Sequence, residues 1–350
     1  MHEGSGCIAA RKPLELLVSV AGWLMISVLQ CAAQDVNGAA FAGRQITISV
    51  GTGPGSPASL YSQAVARHMG RHIPGNPGVV VQHMPGAGGL LAANTAYNNL
   101  PRDGTALATT NSTIFLEPLL GGKGAQFDAK NFNWIGGTHV ERMTCITWHA
   151  SGVKSLQDAT ARPAIIGSYG AEGPSAKIAM AANRFAGTQF SLITGYASSP
   201  EALLAMVRGE IDGFCAMGWD ELKLRQADWL REKKVNLLFQ VGLVKDGELP
   251  DVPLLLDHAR SPLDRKAMEL LFMPLEIGRP IYAPPGVPSD RVEMLRSALA
   301  QTLGDQAFLA DADRAGLPVQ HVSGERIQSL IEQIYSAPKD VLERARTAAQ

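Results

Sequence analysis

Two glycine-rich turns carry the residues best suited to chemistry in this sequence. One is Gly51-Thr52-Gly53-Pro54-Gly55-Ser56-Pro57 and the other is Pro85-Gly86-Ala87-Gly88-Gly89. Neither contains Lys or Arg. Glycine lets a backbone take left-handed angles and come close to a ligand. The first amides of a helix lack internal partners and carry a partial positive charge. Two such turns opening helices onto one cleft make an anion site from main-chain N–H groups, assisted here by the Thr52 and Ser56 hydroxyls. Three or four charge-assisted bonds of roughly 1.5–3 kcal/mol each, less the cost of association, leave about micromolar affinity. That strength suits capture and release of a carboxylate.

The elements that must hold these turns follow from the flanking pattern. Ile46-Thr47-Ile48-Ser49-Val50 is β-branched and alternating, hence a strand. From Ala58 onward Leu60, Ala64, Val65 and Met69 share a helical face. Val79 to Gln82 is a second strand, Leu90 to Tyr97 a second helix, and Ala106 to Thr110 a third strand ending at Asn111 and Ser112. Both glycine turns thus sit where a strand ends and a helix begins, the edge at which open α/β sheets bind ligands.

The middle of the chain repeats the device. Ala164 to Ser168 is a strand running into Tyr169-Gly170-Ala171-Glu172-Gly173-Pro174-Ser175 and a helix. Phe190 to Thr194 is another, followed by Gly195-Tyr196-Ala197-Ser198-Ser199, with Pro200 and Glu201 at the start of the next helix. Ile211 to Met217 is a further strand and Asp220 to Lys234 a helix. Trp134 to Trp148 and Val235 to Val241 read as the strands that cross between two lobes. Ser289 is expected to cap one late helix, and Ser323 to start the final one.

Bulk properties bound the answer. Formal net charge is −1, which gives no electrostatic case for nucleic acid or an anionic membrane surface. Residues Met1 to about Ala33 read as an export signal, with Arg11 and Lys12 ahead of an apolar run and Cys31-Ala32-Ala33 at the cleavage site. The run is roughly 16 residues, short for a membrane span; a permanent anchor and an acylated Cys31 are the alternatives. About 315 residues would remain, enough for two lobes. Of the four cysteines, Cys145 and Cys215 stay in the mature chain. In an oxidising compartment they could pair; two buried thiols are the expectation, since nothing in the sequence sets them at bonding distance.

Other chemistries find little support. After Gly51-Thr52-Gly53 the dinucleotide pattern wants a glycine where Ser56 stands, and an acid near Gln82-His83 is missing. There is no P-loop Lys-Ser/Thr pair and no Gly-x-Ser-x-Gly elbow. His68 and His72 have metal-ligand spacing, but Arg67 and Arg71 flank them, which reads as a solvated basic face. No catalytic set, cofactor or metal is expected.

With these segments in hand, the chain resembles the periplasmic solute-binding receptors of tripartite tricarboxylate transporters, the Bug receptors. The resemblance rests on Ile48 to Ser56, Met84 to Gly89, Pro101-Arg102-Asp103-Gly104-Thr105, Ala202 to Asp212, Leu249-Pro250-Asp251-Val252-Pro253 and Ala283-Pro284-Pro285-Gly286-Val287-Pro288, in that order. It implies a two-lobed α/β fold of the type II periplasmic-binding class, a Venus flytrap whose lobes are each a mixed sheet flanked by helices. Lobe 1 would comprise residues 44–138 and 238–350, and lobe 2 residues 139–237. It implies no enzymatic activity and a periplasmic monomer. Its partners would be a small carboxylate ligand and the permease subunits of a tripartite transporter; a sensor kinase fed by the receptor is the alternative.

Carried over position by position, the ligand contacts are Thr52, Gly53, Pro54, Gly55 and Ser56, then Gly86, Ala87, Gly88 and Gly89, then Asn111 and Ser112. The other lobe contributes Ser168, Tyr169, Gly170 and Ser175, with Tyr196, Ala197 and Ser198. Where many relatives have Ser-Thr-Asp this chain has Pro57-Ala58-Ser59, and where they have Tyr-Lys-Gly it has Tyr196-Ala197-Ser198. The first departure argues against an ammonium-bearing ligand; the second removes a positive charge near the cleft. Trp219, with Tyr169 and Tyr196, stands at a strand end and could add to an aromatic wall.

Overall fold

The structure is a computed structural model that describes Met1 and residues 40–348 apart from Lys123, Glu141 and Glu172. The expected export segment, Met1 aside, lies outside the described residues, as do Cys7 and Cys31. In chain order the first part reads β1 (Gln45–Val50), α1 (Pro57–Met69), β2 (Gly78–His83), α2 (Leu90–Asn98), β3 (Ala106–Thr109), α3 (Glu117–Leu120) and β4 (Asn133–Gly137). The middle reads β5 (Met143–Trp148), α4 (Leu156–Ala161), β6 (Pro163–Ser168), α5 (Pro174–Ala181), β7 (Gln189–Thr194), α6 (Ser199–Val207), β8 (Gly213–Gly218), α7 (Trp219–Arg225), α8 (Ala227–Arg231) and β9 (Val235–Val241). The last part holds α9 (Pro262–Phe272), β10 (Pro280–Ala283), α10 (Ser289–Gly304), α11 (Gln306–Arg314), β11 (Val322–Ser323), α12 (Gly324–Tyr335) and α13 (Lys339–Arg346).

These strands form two mixed sheets, one per lobe. The first has the order β11-β4-β10-β3-β1-β2 and the second β7-β6-β8-β5-β9. β1 runs parallel to both β2 and β3, with Ile48 opposite Val81 on one side and Leu107 on the other. Strands joined through α1 and α2 must be parallel, so all three end at the same sheet edge and deliver the glycine turns there. β10 enters antiparallel between β3 and β4, bringing a distant segment to the middle of the first sheet. In the second lobe β6 is parallel to β7 and β8, while β5 is antiparallel to β8 and β9.

The apolar faces predicted from periodicity are the buried ones. Ile46, Ile48 and Val50 of β1 pack against Ala64, Val65 and Met69 of α1 with no exposed surface. Phe115, Phe132, Trp134 and Tyr282 form a ring cluster under the first sheet, with Phe132 and Tyr282 centroids 4.6 Å apart. That core continues into the second lobe through Cys145, Ile178 and Phe239. Among the described residues no helix is long and apolar enough to cross a membrane.

Several boundaries differ from the sequence reading. Trp134 to Trp148 is two strands in different sheets, and the crossing is the segment 138–142 between them. β9 pairs with β5 as far as Val241, so the second sheet runs past residue 237, where lobe 2 was expected to end. The helix expected over Asp220 to Lys234 breaks at Gln226, whose φ −126° and ψ 30° are not helical. Ser289 is the first residue of α10 rather than its cap; Pro288 takes that position. Ser323 does cap α12, accepting from the Arg326 N–H at 3.2 Å, but α13 follows it. Cys145 and Cys215, expected as thiols, are joined in a disulfide. Antiparallel pairing of β5 with β8, shifted by a bulge after Thr144, sets their Cα atoms 3.7 Å apart.

Candidate functional site

The lobes meet over a cleft, and three helix starts open onto it. α1 contributes Ser56, Pro57 and Ala58; α5 contributes Pro174; α6 contributes Ser198 and Ser199. Each helix has proline in its first turn, where the missing N–H costs no internal bond. One start comes from lobe 1 and two from lobe 2, so a bound anion would feel partial positive charge from both sides.

The first turn is stiffened by its own side chains. The Ser56 hydroxyl accepts from the Ser59 N–H at 3.3 Å and lies 2.6 Å from the Thr52 hydroxyl. The second turn is held by Asn111, whose side-chain amide donates to the Gly88 carbonyl at 3.1 Å. The two turns lie side by side: a β-carbon placed on Gly51 would be 3.3 Å from the Gly89 Cα. They also touch the opposite lobe. A β-carbon on Gly53 would lie 3.2 Å from the Ala197 carbonyl oxygen, and one on Gly170 would lie 3.1 Å from the Gly88 nitrogen. The lobes are therefore in contact along the mouth of the cleft, through residues with little or no side chain.

Of the residues expected from sequence, Thr52, Ser56, Asn111, Tyr169 and Ser198 form the cleft wall. Gly53, Pro54 and Gly55 complete the first turn without lining the cavity, and Gly86, Ala87, Gly88 and Gly89 buttress it from beside. Ser112 is buried in the turn of 3₁₀-helix after Asn111. Ser168 and Ser175 face away from the cleft: their hydroxyls donate to the Gly170 and Gly167 carbonyls, and Ser175 also accepts from the Cys215 N–H. Tyr196 packs on Gly167 within lobe 2. Ala197 is exposed at the mouth, its N–H bonded to the Glu201 carboxylate at 2.6 Å.

Five further cleft residues were not expected: Met143, Phe214, Ala216, Glu221 and Arg279. Arg279 matters most, because the cleft was read as lacking any cationic side chain. Its backbone is clamped to the lobe crossing: the Arg279 N–H donates to the His139 carbonyl at 3.0 Å, and the Thr138 N–H donates to the Arg279 carbonyl at 3.2 Å. Gly278 permits this approach; with φ +71°, a β-carbon there would meet the His139 oxygen at 2.1 Å. The guanidinium lies over the Tyr61 ring, 5.5 Å from its centre. The local signal was only Gly278-Arg279-Pro280 ahead of a short strand.

Beneath Arg279, burial pushes the Glu221 carboxyl above its ordinary range, against the pull of Arg279 and Arg225. His139 faces Asp220 at 3.4 Å and is held down to a pKa of about 4, chiefly by burial and then by Arg279. The two histidines with metal-ligand spacing are used otherwise: His68 and His72 each pair with an aspartate of lobe 1, Asp311 and Asp305, at 3.0 Å. Among the described residues no cluster of His, Cys, Asp or Glu could hold a metal ion.

No family model matches the chain. It is 24% identical over 274 residues to a UPF0065 protein of Bordetella bronchiseptica, a match covering 76% of this chain and 75% of the relative. In structure it is similar to the periplasmic binding protein BugD, with TM-score 0.65 over 87% of this chain and 96% of that one, at 18% identity. MatC from Rhodopseudomonas palustris, solved with malate, gives 0.66 over 86% and 100% at 19% identity. An R. palustris protein solved with adipate gives 0.63 over 87% and 97% at 16% identity. The fold is that of the two-lobed periplasmic binding proteins. Within that fold the chain is similar to Bug and TctC proteins in particular, in accord with the resemblance carried by its loops.

Proposed function

We propose that the chain is an exported, non-enzymatic solute receptor of the Bug type that captures a small carboxylate between its lobes. It acts in the periplasm and hands the ligand to the membrane subunits of a tripartite tricarboxylate-type transporter. The observation that carries this reading is the convergence of the α1, α5 and α6 starts, from both lobes, on one cavity. A carboxylate there exchanges water for main-chain and hydroxyl donors whose orientation is already fixed by Ser56, Thr52 and Asn111. Donors on lobe 1 and lobe 2 are satisfied together only when the lobes are closed, so binding favours closure. Malate and adipate in two similar structures are acids of the expected size.

Thermal-shift screening of the mature protein against aliphatic and aromatic mono- and dicarboxylates, followed by calorimetry, tests the reading. A cognate acid at a hundred times its Kd adds about 2.7 kcal/mol to stability, a shift of several degrees. A flat response to every acid, with a shift for sugars or cations, overturns it.

A further inference from the structure

Lobe 2 leaves one sheet edge open. β7 is the last strand of the second sheet and pairs with β6 on one side. Its phase is set by Gly195, whose N–H donates to the Ser168 carbonyl at 3.1 Å. Alternate residues of a strand turn both main-chain groups the same way. Ser191 and Ile193 therefore address β6, while Phe190, Leu192 and Thr194 point outward. Asn183 closes the first of these: its side chain accepts from the Phe190 N–H at 2.9 Å and donates to the Phe190 carbonyl at 2.8 Å. Among the described residues, none bonds to the outward groups of Leu192 and Thr194. The opposite edge of the sheet is covered, since Gln240 of β9 donates its N–H to the Pro253 carbonyl at 2.9 Å.

The side chains of β7 suit a partner. Gln189-Phe190-Ser191-Leu192-Ile193-Thr194 has neither a charge nor a proline, the usual guards of an edge. One face buries Phe190 and half-buries Leu192 in the core of the lobe. The other carries Ile193, 43% exposed, and, on β6, Ile165, 37% exposed. Ile165 stands opposite Ser191, so the two isoleucines share that face. α6 packs on β6 and β8, which leaves the β7 side to solvent.

We propose that this edge pairs with the same edge of a second copy of the chain. The open groups flank Ile193 symmetrically, and that symmetry names the occupant. With a two-fold axis through Ile193, Leu192 of each copy exchanges both main-chain bonds with Thr194 of the other, antiparallel. Ile193 then faces its own counterpart as a non-hydrogen-bonded pair, with Cα atoms about 4.5 Å apart, the arrangement that brings side chains closest. Neither edge brings a charge that would repel its copy. Asn183 stops the pairing at Phe190, and Gly195, with φ +114°, turns the chain out of the strand at the other end, so the register is fixed. An interface this short belongs to the weak, transient class. The monomer implied by the family resemblance is one end of an equilibrium.

Sedimentation velocity of the mature, disulfide-bonded protein from about 1 to about 300 µM tests it. The parent should pass from monomer to dimer mass within that range. Ile193→Lys sets like charges face to face and should stay monomeric with the parent's Tm. Thr194→Pro removes an outward N–H and no bond to β6, and should raise the dimer Kd at least tenfold; it decides the matter if Ile193→Lys does not fold. Ile193→Cys, oxidised with diamide, should yield a covalent dimer, whereas Ser191→Cys, opposite Gly195 of the second copy, should not. A parent that stays monomeric throughout, a dimer that survives in both Ile193→Lys and Thr194→Pro, or cross-linking at position 191 in place of 193 overturns the assignment.

Discussion

Lys177 of α5 reaches across the lobe boundary to Glu117 at the start of α3, Nζ to Oε1 3.1 Å, with both side chains nearly buried. Lys177 sits in the helix whose first residues open onto the cleft, so the pair reports on how that helix is seated. Removing Lys177 takes away one of the groups that compensate a buried carboxylate, a loss of up to about 3–5 kcal/mol. Lys177→Met should lower the urea midpoint by that order and weaken ligand binding. The double variant Lys177→Met/Glu117→Leu should recover most of the stability, because an apolar pair avoids the desolvation cost. A double variant no more stable than the single one would show that the loss lies elsewhere.

The contact of Gly53 with Ala197 makes a separate prediction. A Cβ at position 53 meets a backbone oxygen of the other lobe, which has no rotamer to yield. Gly53→Val should therefore oppose closure while leaving each lobe intact. The expected result is about a tenfold loss of affinity, near 1.4 kcal/mol, with an unliganded Tm within about 2 °C of the parent. Small-angle scattering of the variant with ligand should show a larger radius of gyration than the liganded parent.

The two-lobed α/β fold was legible because its signals are local. Ile46 to Val50 alternates, Gly51 to Pro57 breaks the strand, and Ala64, Val65 and Met69 restart at helical spacing. The wall residues Thr52, Ser56, Asn111, Tyr169 and Ser198 were legible for the same reason, since each stands at a strand end or helix start. Arg279 was not. It reaches the cleft only because β10 inserts between β3 and β4, a pairing over more than a hundred residues of sequence that no local pattern encodes. Ser168 and Ser175 show the reverse case: in the expected turn, their hydroxyls bond main-chain groups of their own lobe, Gly170 for Ser168 and Gly167 and Cys215 for Ser175. Periodicity names the element, and the partner of each polar atom is decided by packing.

The Cys145–Cys215 disulfide joins strands whose neighbours shape the cleft: Phe214 and Ala216 flank Cys215, and Met143 lies two residues before Cys145. Cross-linking over 70 residues restricts the unfolded chain, an effect of about 2–5 kcal/mol. Cys145→Ala/Cys215→Ala should lose stability of that order and bind ligand more weakly, as β5 and β8 loosen beneath the wall. Thiol titration of the denatured, export-processed protein should find no thiol from this pair before reduction and two after it.

His139 gives the protein a dependence on pH in the window between its ordinary and its lowered pKa. Burial and Arg279 lower its pKa from 6.5 to about 4, so the folded chain binds this proton less readily than the unfolded one. Stability rises with pH wherever the unfolded state holds more protons. The contribution of His139 is therefore complete above about pH 6.5 and is lost as pH falls toward 4. A shift of this size corresponds to roughly 3 kcal/mol over the window. Urea midpoints measured between pH 7 and pH 4.5 should fall steeply for the parent and less steeply for His139→Gln, which cannot take up the proton. Equal slopes would place the acid sensitivity in other groups. Because the His139 carbonyl accepts the Arg279 N–H, ligand affinity should weaken over the same interval in the parent.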